Sequence, residues 1–456
     1  MDINRCYSPN MDDEYKKLIR RMNPPRVVID DSCKNATVIR VDSANKHGIL
    51  LEVVQVLTDF NLIITKAYIS SDGGWFMDVF NVTDQHGNKI RDADVLDYIQ
   101  KSLVHDSCST SPTRSLGLKS TIDHTVIELT GSDRPGLLSE LSAVLTNLKC
   151  SVVSGEVWTH NTRAAAVVHV IDENTNSPIA DPERLSNIKQ LLCHVLNGSS
   201  HSRRGAAKAV VSHEQTTHTA RRLHQMMFED RDYERAPGYR DSSASRSEDE
   251  RQTPSVEVVN WYDKDYSVVS IRSKDRPKLL FDTVCTLTDM QYVVFHANID
   301  AEGPEAYQEY YIRHLDGSPV NSDAERQRLI QCVQAAIERR VCEGLKLELC
   351  TTDKVGLLSD VTRIFRENGL SITRAEVMTK DGKALNTFYV RGASGCTVDE
   401  KTIDSIRQTI GQTVLKVKGS QEPKPVDQES SPTRFLFGGL FKSRSFVNFG
   451  LVRSYS

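Results

Sequence analysis

The chain has 456 residues, a formal net charge of -4 and a sequence pI of about 6.4. At roughly 100–200 residues per domain this length predicts several domains, and the slightly acidic balance argues against a general polyanion binder. The ten cysteines form no CxxC pair, which is typical of reduced thiols in an intracellular protein. The N-terminus has no signal-peptide or transit-peptide pattern, and no run approaches the roughly 20 apolar residues of a membrane helix. We therefore expect a protein of the cytoplasm, the nucleus or both.

One heptapeptide occurs four times along the chain. The copies read ANKHGIL at 44–50, SDRPGLL at 132–138, KDRPKLL at 274–280 and TDKVGLL at 352–358. The fifth residue of each copy is called its corner residue: Gly48, Gly136, Lys278 and Gly356. Apolar alternation before each corner predicts a strand, and apolar residues seven apart after it predict a helix. A small residue nineteen positions after the corner recurs in all four copies, so the chain contains a fourfold internal repeat.

Taken in chain order, the first half is predicted to be a leader and two repeats. Residues 1–34 are polar and interrupted by Pro24 and Pro25, so they are expected to dock weakly or not at all. Repeat one covers 35–118 and reads strand, helix, strand, strand, helix, with a short closing strand near 116–118. Repeat two covers 123–198 and has the same order.

The second half begins with residues 199–255, which are rich in Ser, Arg, His and acidic residues and are predicted to be a flexible linker. Inside it, 219–228 (TARRLHQMMF) is predicted to form a helical turn or two that packs on a neighbouring repeat, with partner docking as the alternative. Repeat three covers 256–341 and repeat four 344–420. The tail 421–456 is basic and aromatic. Two interpretations of it stay open: it contacts a membrane surface or a partner, or it covers an apolar face of a repeat.

The repeat unit predicts the fold class and a family. Its order is that of a ferredoxin-like βαββαβ sandwich, so we expect an α+β protein of four such repeats in two pairs. Many functions use this fold. The sharper signal is a strand followed by the pattern [D/N]-x-x-G-[ILV]-L, which SDRPGLL and TDKVGLL match best. In this pattern the sequence resembles the ACT domain, an amino-acid-sensing module. Four copies, the RRLHQMM segment and the FVNFGLVRSYS ending resemble the plant ACT-repeat (ACR) family over nearly the whole chain.

The chemistry of the heptapeptide suits a small zwitterion. Glycine permits close approach of a ligand, and the helix start offers free N–H groups and partial positive charge to a carboxylate, about 0.3–1 kcal/mol when exposed. A side-chain acceptor three residues before the corner suits an ammonium group. The candidate ligand-binding residues are Asn45, Gly48 and Ile49, then Asp133, Gly136 and Leu137, then Asp353, Gly356 and Leu357. The first residue of each set is expected to act through its side chain and the others through backbone amides; the alternative is that Asp or Asn caps the helix.

The resemblance also implies where a ligand lies. In ACT domains it commonly lies where the turn meets the second strand of a neighbouring unit, so repeats one and two, and repeats three and four, are expected to pair. Lys278 replaces the corner glycine of repeat three and is expected to crowd the approach. His47 is interpreted as a solvated turn residue.

Three other functional classes share features with this sequence. Bacterial uridylyltransferases end in similar ACT pairs, but no nucleotidyltransferase stretch and no HxxxH or HExxH spacing occurs here, so no catalytic residue, metal or cofactor is predicted. Repeat one's GGWFMDVF is only a partial likeness to an RNA-stacking strand, and repeat two's TRAAAVVHV has no aromatic platform. A protein-interaction scaffold with degenerate repeats stays as the alternative to our main interpretation. That interpretation is a non-catalytic regulator that binds free amino acids through paired ACT domains, within the chain or between copies, and signals to an unidentified protein partner.

Overall fold

The computed structural model describes residues 26–30, 32–44, 47–72, 75–106, 124–198, 207–212, 218–234, 254–339, 344–392, 398–411 and 414–418. Four features predicted above lie outside these residues. They are the first part of the leader, the closing strand near 116–118, Asn45 and the tail 421–456.

The predicted order of strand, helix, strand, strand and helix is present in all four repeats. In repeats one and three an additional strand precedes this unit, and in repeats two and four a closing strand follows it. Repeat one comprises β1 (Arg26–Asp30), β2 (Thr37–Ala44), α1 (Ile49–Asp59), β3 (Ile63–Asp72), β4 (Trp75–Thr83) and α2 (Ala93–Asp106). Repeat two comprises β5 (Thr125–Ser132), α3 (Leu137–Asn147), β6 (Cys150–His160), β7 (Arg163–Asp172), α4 (Pro182–Asn197) and β8 (Lys208–Ser212), and helix α5 (Thr219–Glu229) follows it. Repeat three comprises β9 (Ser255–Trp261), β10 (Tyr266–Lys274), α6 (Leu279–Asp289), β11 (Tyr292–Asp300), β12 (Glu305–His314) and α7 (Asp323–Glu338). Repeat four comprises β13 (Leu345–Thr352), α8 (Leu357–Glu367), β14 (Leu370–Lys380), β15 (Lys383–Gly392), α9 (Glu400–Ile410) and β16 (Leu415–Lys418).

The two helices of a repeat start in different ways. Helices α1, α3, α6 and α8 each follow a corner residue in the left-handed conformation, with φ of 85° at Gly48, 84° at Gly136, 66° at Lys278 and 78° at Gly356. Helices α4, α7 and α9 instead begin after Asp181, Ser322 and Asp399, whose side chains accept hydrogen bonds from first-turn amides. The corner residues provide no such side-chain cap, so no corner side chain accepts a hydrogen bond from the first-turn amides of these helices.

The strands of the described residues form two antiparallel sheets of eight strands each. The first has the order β1-β2-β4-β3-β11-β12-β10-β9, and the second has the order β16-β13-β15-β14-β6-β7-β5-β8. Repeat one therefore pairs with repeat three, and repeat two with repeat four. The expectation that neighbouring repeats pair along the chain was wrong. Consecutive repeats along the chain therefore lie in different sheets.

The small residue nineteen positions after each corner lies at these seams. Ala67 pairs with Ile299, and Ala297 pairs with Ile69. In the second sheet Ala375 pairs with Val157, and Val377 with Gly155. Both seams therefore use one register, in which the small residue of one repeat faces a β-branched residue of its partner.

Residues 199–255 and the end of the leader contain more structure than expected. Strand β8 pairs with β5 and closes repeat two, while β1 pairs with β2 and occupies the matching edge of repeat one. The flexible-linker and weakly docking interpretations were wrong for these strands, because each satisfies the backbone groups of an otherwise open sheet edge.

Helix α5 packs inside the protein, as we predicted for the TARRLHQMMF segment. Its residues Leu223 and Met227 are fully buried. Arg222 donates two hydrogen bonds to Glu128 on β5, of 2.7 and 2.9 Å, and Arg221 pairs with Asp289 at the end of α6. Because β5 belongs to one sheet and α6 packs on the other, α5 joins the two layers.

The described residues form two hydrophobic cores. One unites repeats one and three with α5 and with Trp158, Val126 and Val167 on the face of the second sheet. The other lies between that second sheet and the helices of repeats two and four. No helix among the described residues has both the length and the hydropathy to cross a bilayer.

Candidate functional site

Three pockets lie where the corner of one repeat meets its partner repeat. The repeat two pocket lies between the start of α3 and the partner residues Thr362, Arg366 and Ile372. The repeat four and repeat three pockets follow the same plan, at the starts of α8 and α6. Their open volumes are about 540, 480 and 410 Å³, respectively, solvent-facing space included. A shared seam thus contributes to every pocket described.

In the repeat two pocket, the predicted residue Asp133 lines the cavity beside Gly136 and Leu137. Burial raises the pKa of the Asp133 carboxyl to about 6, while the charge of Arg391, the amide of Arg134 and the charge of Arg134 act in the opposite direction. Near neutral pH this carboxyl is mainly ionised, and it is suited to an ammonium group.

The corner of repeat two lies against a cation from repeat four. A Cβ added to Gly136 would lie 2.7 Å from Cδ and 3.1 Å from Cγ of Arg366. The pKa of Glu140, in the first turn of α3, is lowered mainly by its hydrogen bond from Arg134, and the charges of Arg134 and Arg366 act in the same direction. Together with Asp133, the pocket offers both an anionic and a cationic side chain, the complement of a zwitterion.

The expected role of two leucine amides is corrected by the structure. The N–H of Leu137 donates to the carbonyl of Arg134 at 3.1 Å, and that of Leu357 donates to the carbonyl of Lys354 at 3.0 Å. These amides close the corner turn itself. Both leucines instead contribute their largely buried side chains to the pocket walls.

The repeat four pocket differs in how its carboxylate is held. Thr379 Oγ1 donates a 3.0 Å hydrogen bond to Asp353 Oδ2. Thr146 takes the place that Arg366 has in the repeat two pocket, with its Cγ2 3.5 Å from a Cβ added to Gly356. Asn386 also lines the cavity. This pocket therefore has the predicted corner but lacks a cation from the matching helix position of its partner.

Repeats three and one depart further from the pattern. Lys278 lines the repeat three pocket in the left-handed conformation, beside Asp275, whose pKa burial raises. In repeat one, Gly48 precedes α1 as predicted and Ile49 is buried in the core. The third predicted residue, Asn45, lies outside the described part of the chain.

The sequence interpretation missed the ion pair that braces the corner. Arg134 donates to Glu140 at 2.7 Å and to the carbonyl of Val195 at the end of α4 at 2.9 Å. Arg276 forms the same brace in repeat three, 2.8 Å from Asp282 and 2.8 Å from the carbonyl of Ile337. The signal was present, since every repeat has a basic residue two before its corner and an acidic one four after it.

Arg366 was also missed. It belongs to another repeat than the corner it covers, and its counterparts at the same helix position are Thr58, Thr146 and Thr288. Within the described ranges, no three His, Cys, Asp or Glu side chains cluster in a way that could hold a metal ion.

The fold is that of ACT-domain proteins. Residues 123–181 and 347–410 match the ACT domain, and residues 32–110 match the ACR family N-terminal ACT domain. ACT domains are regulatory, commonly bind amino acids and pair with one another.

The full-length comparisons define the family. The chain is 72% identical over 455 residues to the ACT domain-containing protein ACR4 of Arabidopsis thaliana, covering 99% of this chain and 100% of that relative. ACR5 of the same plant is 65% identical over 464 residues, with 100% of both chains covered. ACR6 is 59% identical over 446 residues, with 95% of this chain and 100% of the relative covered. The chain therefore belongs to the ACR family of ACT domain-containing proteins.

Proposed function

We propose that this protein is a non-catalytic regulator that binds a free amino acid at the seam between repeats two and four and passes its occupancy to a partner protein. The observation that carries the proposal is that Asp133 of repeat two and Arg366 of repeat four line one pocket at the start of α3. In the bound state Asp133 accepts hydrogen bonds from the ammonium group. Arg366 and the amides of Leu138 and Ser139, in the first turn of α3, hold the carboxylate.

Binding at a seam provides a means of regulation. A ligand held by two repeats stabilises the arrangement in which both sets of contacts exist, and it shifts the equilibrium by its difference in affinity between arrangements. The partner protein then reads the arrangement of repeats two and four. The repeat four pocket, with Asp353, Gly356 and Leu357, is the second proposed site.

The test is calorimetric titration of the full chain with the common amino acids. We expect at least one to bind, and we expect Asp133→Ala and Gly136→Val to weaken binding at least tenfold. Gly136→Val forces a branched side chain against Arg366. Gly87→Val is the matched control, because Gly87 also has positive φ, 76°, and an added Cβ there meets nothing within 4 Å.

A flat response to every amino acid from folded protein would instead favour a protein-interaction scaffold. One observation supports that second candidate. The outer face of the first sheet exposes Tyr68, Trp75, Met77 and Tyr307, each at least 39% exposed. Clustered exposed apolar side chains are typical of protein-binding surfaces.

A further inference from the structure

One strand position faces the pocket in each repeat for which a pocket is described. It lies thirty residues after the corner and is occupied by Asp78, Ala166, Gln308 and Asn386. All four side chains are at most 4% exposed. Ala166, Gln308 and Asn386 each line the pocket of their own repeat. The strand pleat therefore directs this position at the space a ligand would occupy.

The position two residues earlier differs between repeat one and the other three repeats. It holds Ala164, Ala306 and Ala384, which line the three pockets, and in repeat one it holds Phe76. Phe76 is 2% exposed and belongs to the core. A phenyl ring thus takes up, in repeat one, the side of the strand that alanine leaves open in the other three.

The repeat two pocket is set apart by its apolar inner wall. Where repeat three has Gln308 and repeat four has Asn386, repeat two has the methyl group of Ala166. Around Ala166 the cavity is lined by Leu129, Leu141, Val157, Leu196 and Leu370. The charged groups, Asp133 and Arg366, are at the corner, so the pocket has a polar entrance and an apolar interior.

We infer that the repeat two pocket selects a free amino acid with an apolar side chain, and that Ala166 is the residue that determines this preference. The inference rests on the proposed function. With the ammonium and carboxylate groups held at the corner, the ligand side chain points along the strand toward Ala166. An aliphatic chain gains there by leaving water, whereas an amide group loses hydrogen bonds to water that this wall does not replace.

The experiment compares leucine with asparagine, two amino acids of similar shape, by calorimetric titration of the full chain. Any binding that Asp133→Ala abolishes is assigned to the repeat two pocket. We expect leucine to bind there about tenfold to a hundredfold more tightly than asparagine. Ala166→Asn, which introduces the repeat four residue, should reduce or reverse that ratio. The control Val210→Asn, at a 48% exposed position of β8, should leave it unaltered.

Ala166→Ser provides a second test in case Ala166→Asn fails to fold, because it adds only one oxygen atom. It should weaken leucine binding severalfold with little change in the thermal unfolding midpoint. Asp133-dependent binding that favours asparagine, or a ratio that neither Ala166 variant changes, would overturn the inference and leave the proposed function intact. Absence of any amino-acid binding would overturn both.

Discussion

The guanidinium carbon of Arg339, directly after α7 in repeat three, lies 3.5 Å from the centre of the Trp158 ring on β6 of repeat two. The same guanidinium is 3.3 Å from Asp282 Oδ1, whose other neighbour is Nε2 of His224 on α5 at 2.8 Å. Repeats two and three and helix α5 therefore meet in one buried cluster. This cluster joins the two sheets, because repeat three belongs to the first sheet and repeat two to the second.

Replacement of Trp158 tests this junction. Trp158 is 1% exposed, so Trp158→Ala should lower the free energy of unfolding by about 3–5 kcal/mol through lost burial and a cavity. Trp261→Ala is the control, because Trp261 is 49% exposed and its loss should cost less than about 1 kcal/mol. Urea unfolding followed by circular dichroism measures both. Equal losses of unfolding free energy in the two variants would contradict a particular contribution of this junction to stability.

Engineered disulfides test which repeats pair. Ser154 and Met378 are register partners across the β6–β14 seam, and antiparallel partners lie about 4.5–5.5 Å apart at Cα, within disulfide range. Ser154→Cys with Met378→Cys should cross-link under mild oxidation. Ser154→Cys with Ser70→Cys is the corresponding pair for the sequential arrangement of repeats one and two, and it should stay reduced. Peptide mass mapping separates these products from links to native cysteines, and the reverse result would restore the sequential pairing.

The buried carboxyl of Asp78 should make stability depend on pH. Among the described residues, neither carboxyl oxygen has a partner in hydrogen-bond geometry. Burial raises the pKa of this carboxyl well above its ordinary value, and the nearby amide of Ser70 opposes that shift only in part. The folded state thus binds the proton more tightly, so this carboxyl reduces stability as pH rises from about 4 toward its folded pKa.

Asp78→Asn removes that effect. We expect the variant to be more stable than the native chain by about 1–3 kcal/mol at pH 7 and little different at pH 4. Asn386, at the same position in repeat four, accepts a hydrogen bond from the amide of Met378 at 3.3 Å, so an amide suits this place. Urea unfolding at both pH values measures the change, with Glu257→Gln on exposed β9 as control. A gain that is equal at both pH values would contradict the assignment to ionisation.

Amino-acid binding at the repeat two pocket should weaken in acid. With the pKa of Asp133 at about 6, most of its carboxyl is ionised at pH 7.5 and about a tenth at pH 5. Because the ionised form attracts the ammonium group, the affinity should fall about tenfold between these values. Calorimetry with leucine gives the measurement. In Asp133→Asn the residual binding should not change with pH, and a persistent slope would assign the titration to another group.

Much of the fold could be predicted from local patterns. The order of strands and helices, the positions of the corners and the packing of the TARRLHQMMF helix follow from apolar periodicity and from the repeated heptapeptide, which depend on nearby residues. The candidate residues Asp133 and Asp353 were found in the same way, because spacing from the corner is a property of the sequence.

What the sequence by itself determined was the repeated unit, its corner and its family; the tertiary structure decided which repeats meet. All four repeats have similar second strands with free edges, so no local pattern distinguishes a partner one repeat away from a partner two repeats away. The placement of Arg366 beside Gly136 depends on that choice, as does the joining of the layers by α5. Only the packing of distant segments could settle these relationships, because the groups that meet there are separated by hundreds of residues of chain.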